Sequence, residues 1–264
     1  MSIDKSGAQT VNRACAMLKA IAGACPEGMR GTEVADRMEL PRATAYRVLA
    51  ALQGNGMIEL NGSGRYVLGP DMFLMGLQAQ NMDNLRDVAR ASLLRLSAAT
   101  GDTAFLLLRH GFDAICVDRV DGNYPIKHPA CGISERLALG RIPGGMAILA
   151  MLPQAEQDEI IRHNLHVIVN DEMSDEVAIR CAIEETRQKQ YALNIGKRMS
   201  DLAGIAVAVN NPLGRPIGAI SIGGIVERFS SNRIPMILQL IRQEAAKIGG
   251  KLNINDDRVP DLVS

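Results

Sequence analysis

Along residues 9–69 the apolar positions change from helical spacing to short alternation. Over 9–24, Val11, Ala14, Met17, Leu18, Ile21 and Ala22 recur three and four apart, which predicts a helix. Cys25-Pro26-Glu27-Gly28 ends it with turn residues. Thr32 is placed to cap a short second helix, EVADRM, with Glu33 and Asp36 near its positive end. Glu39-Leu40-Pro41 makes a tight turn, and Pro41 suits the first position of a third helix. In that helix Ala45, Val48, Leu49 and Leu52 form one apolar stripe. Ala43, Arg47 and Ala50 point the opposite way, Thr44 and Tyr46 flank them, and Arg42 lies in the first turn. Gly54-Asn55-Gly56 stops the helix, and MIEL and RYVLG then read as a hairpin around Asn61-Gly62-Ser63-Gly64.

Helix, turn, helix and small hairpin, in that order, make a winged helix-turn-helix. Such a module lays one helix in a DNA groove with a hairpin beside it. The expected DNA-contacting residues are Arg42, Ala43, Thr44, Tyr46 and Arg47 on the third helix, Thr32 at the start of the second, and Arg65 on the wing. An arginine forks onto guanine or phosphate, and small neighbours let the backbone come close. Arg65 is expected at the phosphate backbone or minor groove. A solvated helix face that happens to hold an arginine is the rival reading of the third helix alone, and a protein-binding winged module is the rival for the whole.

Beyond the hairpin, Pro70 opens a long helical stretch with Leu85, Val88, Ala89, Ser92, Leu93 and Leu96 on one stripe, broken at Thr100-Gly101. That face has two candidate partners, a second subunit or the chain's own C-terminal domain. From Asp102 the pattern turns to strands. TAFLLLR and DAICVDRV flank His110-Gly111-Phe112 as an antiparallel hairpin, and GIAVAV and PIGAISIGGI form another around residues 210–214. Helices are expected over 145–152, 154–164 and 175–190, the last capped by Ser174, with Cys181 in its core face. A final helix carries Ile237, Leu238, Ile241, Ala245, Ile248 and Leu252 on one face. Antiparallel strands with helices around them give an α+β domain. The expected boundaries are 1–69 for the winged domain, 70–100 for the linker helix region, 101–254 for the sheet domain and 255–264 for a disordered tail.

Composition adds limits. The 264 residues suffice for two cores, and Trp is absent, so those cores rest on Leu, Ile, Val, Ala and Met. Formal net charge is zero, and the first 70 residues hold eight Lys and Arg against six Asp and Glu. That balance permits a DNA-binding face without arguing for one. Five scattered cysteines without a CxxC fit reduced thiols in a cytoplasmic protein. The polar N-terminus shows no signal peptide, and no apolar run is long enough to span a bilayer.

Arg141-Ile142-Pro143-Gly144-Gly145 ahead of MAILAML is the best small-molecule candidate, since a glycine-rich helix start offers N–H groups and a dipole to an anion. Lys and Ser/Thr are missing after the glycines, so this is no phosphate-binding P-loop. A structural turn is the alternative. Ser221 and Gly223 share one face of a central strand and offer a second polar element. Cys131 and His128, three apart, form the sole candidate nucleophile pair, without an evident third group, and an enzyme using Cys131 is the rival function. Cys116 reads as core. His163 and His166 read as solvated rather than metal-binding, and Lys197-Arg198 as an exposed pair. No metal or cofactor motif stands out.

With these residues assembled, the chain resembles the IclR family of bacterial transcriptional regulators. The likeness rests on VNRACAMLKAI, LPRATAYRVLAAL and RYVLG in the N-terminal half, and on GGMAILAMLP, GIAVAV and GAISIGG in the C-terminal half. It implies a winged-helix domain, a linker helix and a GAF-like effector domain without catalytic activity. It also implies homodimers or tetramers on double-stranded promoter DNA, repressing or activating under control of a small organic or aromatic acid. The family's effector pocket matches backbone groups at Pro143, Gly144 and Gly145, polar positions at Asn194, Gly204, Ser221 and Gly223, and an apolar wall at Leu137 and Leu202. Met146 stands where the helix-start motif usually has lysine, and Lys197 where a glutamate is common. Gly204 and Gly223 stand where some relatives present a side chain. Two missing side chains imply a larger or less polar pocket, and hence an effector bulkier than the smallest keto acids, its carboxylate near Gly144, Gly145 and Ser221.

Overall fold

The computed structural model describes residues 8–78, 82–129, 131–169, 175–196 and 200–251. Contacts divide the chain into two compact units, residues 1–83 and 84–264.

The first unit runs α1 (Gln9–Ala22), α2 (Gly31–Arg37), α3 (Arg42–Gly54), β1 (Ile58–Leu60), β2 (Tyr66–Leu68) and α4 (Pro70–Gln78). Its core joins Met17, Ile21, Val34, Ala35, Ala45, Leu49, Ile58 and Tyr66. Burying one such Leu or Ile stabilises the fold by roughly 1.5–3 kcal/mol. The stripe expected on α3 is the buried one, whereas on α1 Val11 and Ala22 are exposed and Ala20 is buried. Thr32 is not the cap of α2, which starts two residues earlier than expected, at Gly31, with Arg30 at the N-cap. Glu33 reaches back to accept the Arg30 N–H at 2.9 Å, so the carboxylate supplies what the hydroxyl was expected to. β1 and β2 pair antiparallel, Ile58 opposite Leu68 and Leu60 opposite Tyr66. Asn61 Oδ1 shapes the tip by accepting from the N–H groups of Ser63 and Arg65. Phe73, Leu74 and Met75 on α4 are exposed.

The second unit holds α5 (Met82–Thr100), β3 (Thr103–His110), β4 (Asp113–Val120), β5 (Arg136–Ala138), α6 (Pro143–Met151), α7 (Gln154–Ile168), α8 (Glu176–Lys189), β6 (Ala192–Ile195), β7 (Leu202–Asn210), β8 (Pro216–Ile225) and α9 (Ile234–Lys251). Its antiparallel sheet has the order β5-β4-β3-β8-β7-β6. The two-residue period sorts the strands between two cores. Ala104, Leu106, Ile205, Ile220 and Ile222 face α5 and α9. Phe105, Leu107, Ala206 and Ala219 face α6, α7 and α8. The α+β architecture is therefore as expected.

The helical stretch from Pro70 is two helices, and of the two partners open to its apolar face, Ala89, Leu93 and Leu96 take the sheet of their own unit. β5 and β6 are too short to show alternation in sequence. α6 begins at Pro143 rather than 145, because it is buried nearly all round and has no polar face to mark its start. α7 runs on to Ile168. On α8 Asp175 is the cap, accepting the Ala178 N–H at 2.9 Å. Cys181 is exposed rather than core, since Ile179, Ile183 and Thr186 form the buried face of α8. Ser174, Lys197, Arg198, Leu252 and the tail over 255–264 lie outside the described residues. Among the described residues no helix is long and apolar enough to cross a membrane.

Candidate functional site

The sheet face toward α6 carries a cavity of about 250 Å³. Pairing of Gly204 with Gly223 sets β7 and β8 in register there, with Ser221 two residues along on the same face. Phe105 and Leu107 of β3 extend this wall, Leu202 and Asn194 close one side, and Ile142 and Pro143 enter from the α6 N-terminus. The opposite wall is the segment bearing His128, Pro129, Cys131 and Glu135. Pro143, Asn194, Leu202, Gly204, Ser221 and Gly223 thus line one cavity. A larger groove of about 740 Å³ between α6, α8 and β6 shares Ile142, Pro143 and Asn194 with the cavity.

Three expected residues are not in the cavity wall. Leu137 is buried in the core, on β5 opposite Ala114. Gly144 packs on Leu107 and Ala219, where a β-carbon would overlap Leu107. Gly145 lies against the backbone of Ala138, Leu139 and Gly140. These glycines let the helix start approach the sheet closely. Their N–H groups, at the first turn, have no acceptor within the helix.

The room at Gly204 and Gly223 is not left open, so of the two expected outcomes, a larger or a less polar pocket, the larger one does not follow from these glycines. A β-carbon on Gly223 would stand 2.8 Å from the His128 ring, and one on Gly204 3.2 Å from Pro143. His128 meets Phe105 edge to face at 6.0 Å between centroids. Burial, and next the Arg119 charge, push its pKa down to about 4, so its ring is neutral at pH 7. The Ser221 hydroxyl donates to the Ile205 carbonyl at 3.2 Å, which directs its lone pairs to other donors. Arg119 stands behind this wall, 5.3 Å over the Phe105 ring, pairing with Asp121 at 2.8 Å and donating to the Cys131 carbonyl at 3.2 Å.

The Cys131 thiol is partnered by Cys116, and that hydrogen bond lowers its pKa while raising that of Cys116. Both sulfurs are buried. His163 and His166 are exposed, and the His163 ring rests on Phe112 at 4.5 Å. Ile142, part of the glycine-rich candidate, lines the cavity; Phe105, Leu107, Pro129 and Glu135 were not expected there, and His128 and Cys131 only as a nucleophile pair. β3 is an unbroken apolar run from Ala104 to Leu108, so its sequence does not say which side chains face the cavity. The segment over 121–135 has no periodicity to read.

On the first unit, Arg42, Ala43, Tyr46 and Arg47 are exposed on α3, and Thr44 is half-buried. Thr32 is half-buried in the first turn of α2. The Tyr46 ring covers Gly31, where a β-carbon would be 2.7 Å from the ring. Arg65 does not extend from the wing as expected. Its Nη1 donates to the Gly28 carbonyl at 2.9 Å and to Glu33 at 3.0 Å, and its Nη2 to Glu33 at 3.1 Å. Arg30 and Arg37, unassigned from sequence, are exposed on or beside α2.

Residues 10–62 match the IclR helix-turn-helix domain, and residues 78–249 match the bacterial transcriptional regulator IclR C-terminal domain. The glycerol operon regulatory protein of Streptomyces griseus is 25% identical over 252 residues, covering 92% of this chain and 96% of its own. The HTH-type transcriptional regulator KipR of Bacillus subtilis is 23% identical over 223 residues, 84% of this chain and 88% of its own. An IclR homologue from Microbacterium hydrocarbonoxydans, crystallised with 4-hydroxybenzoate, has the same fold, with TM-score 0.79 at 19% identity over 91% of this chain and 97% of that one.

Proposed function

Because the chain belongs to the IclR family of bacterial transcriptional regulators, we propose that it binds promoter DNA through α3 and senses a small aromatic or similarly bulky organic acid in the cavity beside Ser221. The family consists of regulators rather than enzymes, so the Cys131 enzyme reading has no support. The observation that carries the sensing proposal is the convergence of Pro143, Asn194, Leu202, Gly204, Ser221 and Gly223 on one cavity of about 250 Å³. A homologue of the same fold was crystallised with 4-hydroxybenzoate, and since a cavity of about 150 Å³ admits benzene, this one has room for a ring. Calorimetry with aromatic acids against glyoxylate and pyruvate tests it. Tight binding of the two small keto acids and none of the aromatic acids would overturn the proposal.

On the DNA side, Arg42, Ala43, Thr44, Tyr46 and Arg47 are the proposed contact residues, with Thr32 and Arg30 toward phosphate at the α2 start. Arg65 is proposed to hold the wing in place rather than to contact DNA. The exposed Phe73, Leu74 and Met75 are proposed to be covered by a second copy, giving a homodimer or a tetramer built from it. Residues 70–100 would link the winged domain (1–69) to the effector domain (101–254). Effector binding would bias the spacing of two winged domains, and so of the half-sites they fit. The protein would act in the cytoplasm, where promoter DNA is.

A further inference from the structure

An acid effector brings a negative charge into a cavity whose described lining includes no Lys or Arg. Resting on the acid-sensing reading, we propose that His128 meets the effector's carboxylate and takes up a proton from solvent as the acid binds, which makes effector capture dependent on pH. Of the other polar groups of the wall, Asn194 offers an uncharged amide and the rest are poorly placed for this charge. The Ser221 hydroxyl donates its hydrogen bond to the Ile205 carbonyl. Glu135 is itself acidic and exposed, and its Oε2 accepts the Gly132 N–H at 2.7 Å. Gly144 and Gly145 are packed against the sheet and the Ala138–Gly140 backbone, outside the cavity wall. His128 occupies the space that the missing side chain at Gly223 leaves, on the cavity side of Phe105.

The groups facing His128 set the direction. Among the described groups, β3 brings Phe105 to the ring and the Thr103 hydroxyl to the His128 backbone N–H, which it accepts at 3.4 Å; from β8 come Gly223 and Ser221. From β4 comes Arg119, whose charge disfavours a second cation and is offset by Asp121. Glu135 and Cys131 complete the wall on its own segment. In the empty site burial, then Arg119, keep the imidazole neutral down to about pH 4. A carboxylate beside the ring reverses that preference, since an opposite charge within about 4–6 Å favours the charged form. The proton moves from solvent to a ring nitrogen, and no covalent bond changes. Where the complex holds a proton that the free protein does not, affinity falls as pH rises, approaching tenfold per pH unit.

The test is calorimetry of the full chain with a series of aromatic acids that includes 4-hydroxybenzoate, in phosphate and in imidazole, which both buffer across the range, from pH 6 to pH 8. The neutral 4-hydroxybenzamide is the control. The expected result is proton uptake approaching one per site on the acid side, seen as a buffer-dependent enthalpy, with affinity declining as pH rises. His128→Asn should bind more weakly and without uptake. Gly223→Ala, which displaces the ring without deleting it, should also lose uptake. Acid binding by the wild type with no proton exchange overturns the role of His128 and leaves the acid-sensing reading standing. Binding of the amide but of no acid overturns both.

Discussion

Arg65 grips both carboxylate oxygens of Glu33, Nη1 to Oε2 at 3.0 Å and Nη2 to Oε1 at 3.1 Å, and ties the base of the wing to α2. A forked arginine on a carboxylate is geometrically specific, and this one also donates to the Gly28 carbonyl. Each phosphate contact contributes about 0.9 to the slope of log affinity against log salt. Arg47→Ala is expected to reduce that slope by about one if it meets phosphate, or to cost roughly 1–3 kcal/mol with relaxed base preference if it meets guanine. Arg65→Ala is expected to lower Tm and leave the slope unchanged. Anisotropy titrations at several salt concentrations distinguish the two, and a lowered slope for Arg65→Ala would return it to the DNA contacts.

Tyr46 and Gly31 form a second contact inside the recognition unit. A β-carbon on residue 31 would be 2.7 Å from the Tyr46 ring, so Gly31→Ala must swing the ring off α2. A several-fold loss of DNA affinity is expected. In a Tyr46→Ala background the same change should cost less, with a coupling of about 0.5–3 kcal/mol in stability. Thermal melts of the four proteins in the cycle measure it, and additive effects would mean that the ring contact carries nothing.

Gly144→Ala forces a methyl into Leu107 under the helix start of α6. Overpacking of this kind costs about 1–3 kcal/mol. Urea denaturation should show a lowered midpoint. A midpoint equal to wild type would mean that α6 shifts freely and that the glycine serves another purpose.

Glu244 joins α9 to α5. Burial raises its pKa, but hydrogen bonds from Arg95, Lys247 and Ser92 outweigh that and bring it down to about 2. Its folded value lies below the usual 4.5, so its stabilising effect is full above about pH 4.5 and is lost as pH falls toward 2. Glu244→Gln should therefore melt lower than wild type at pH 7, with the gap closing as pH is taken down to 3. A gap constant over that range would show that the ion pairs are not its source.

Reading the sequence went furthest where one segment carries its own pattern. Ala45, Val48, Leu49 and Leu52 announce the buried side of α3, and with it the side left for DNA. Ser221 and Gly223 follow from the two-residue period of β8. What stayed hidden depends on partners far apart in the chain. The Arg65–Glu33 pair spans 32 positions, so Arg65 reads as a free cation beside a glycine-rich tip. His128 and Gly223 come from an unpatterned segment and a strand, and only the fold shows that one fills the room left by the other. α6 hides its start because a helix buried all round has no polar face to count from.

One chain is thus expected to join specific DNA binding to acid sensing. The most direct test is fluorescence anisotropy on DNA from upstream of the protein's own gene, with random DNA as competitor, for wild type and Arg47→Ala, each with and without the tightest-binding aromatic acid. Wild type is expected to bind specifically and in a salt-sensitive manner, to change affinity when the acid is added, and to lose specific binding in the variant. Equal binding by both proteins, removed by competitor and unmoved by any acid that binds the cavity, would show that α3 does not read DNA and that the cavity does not control it.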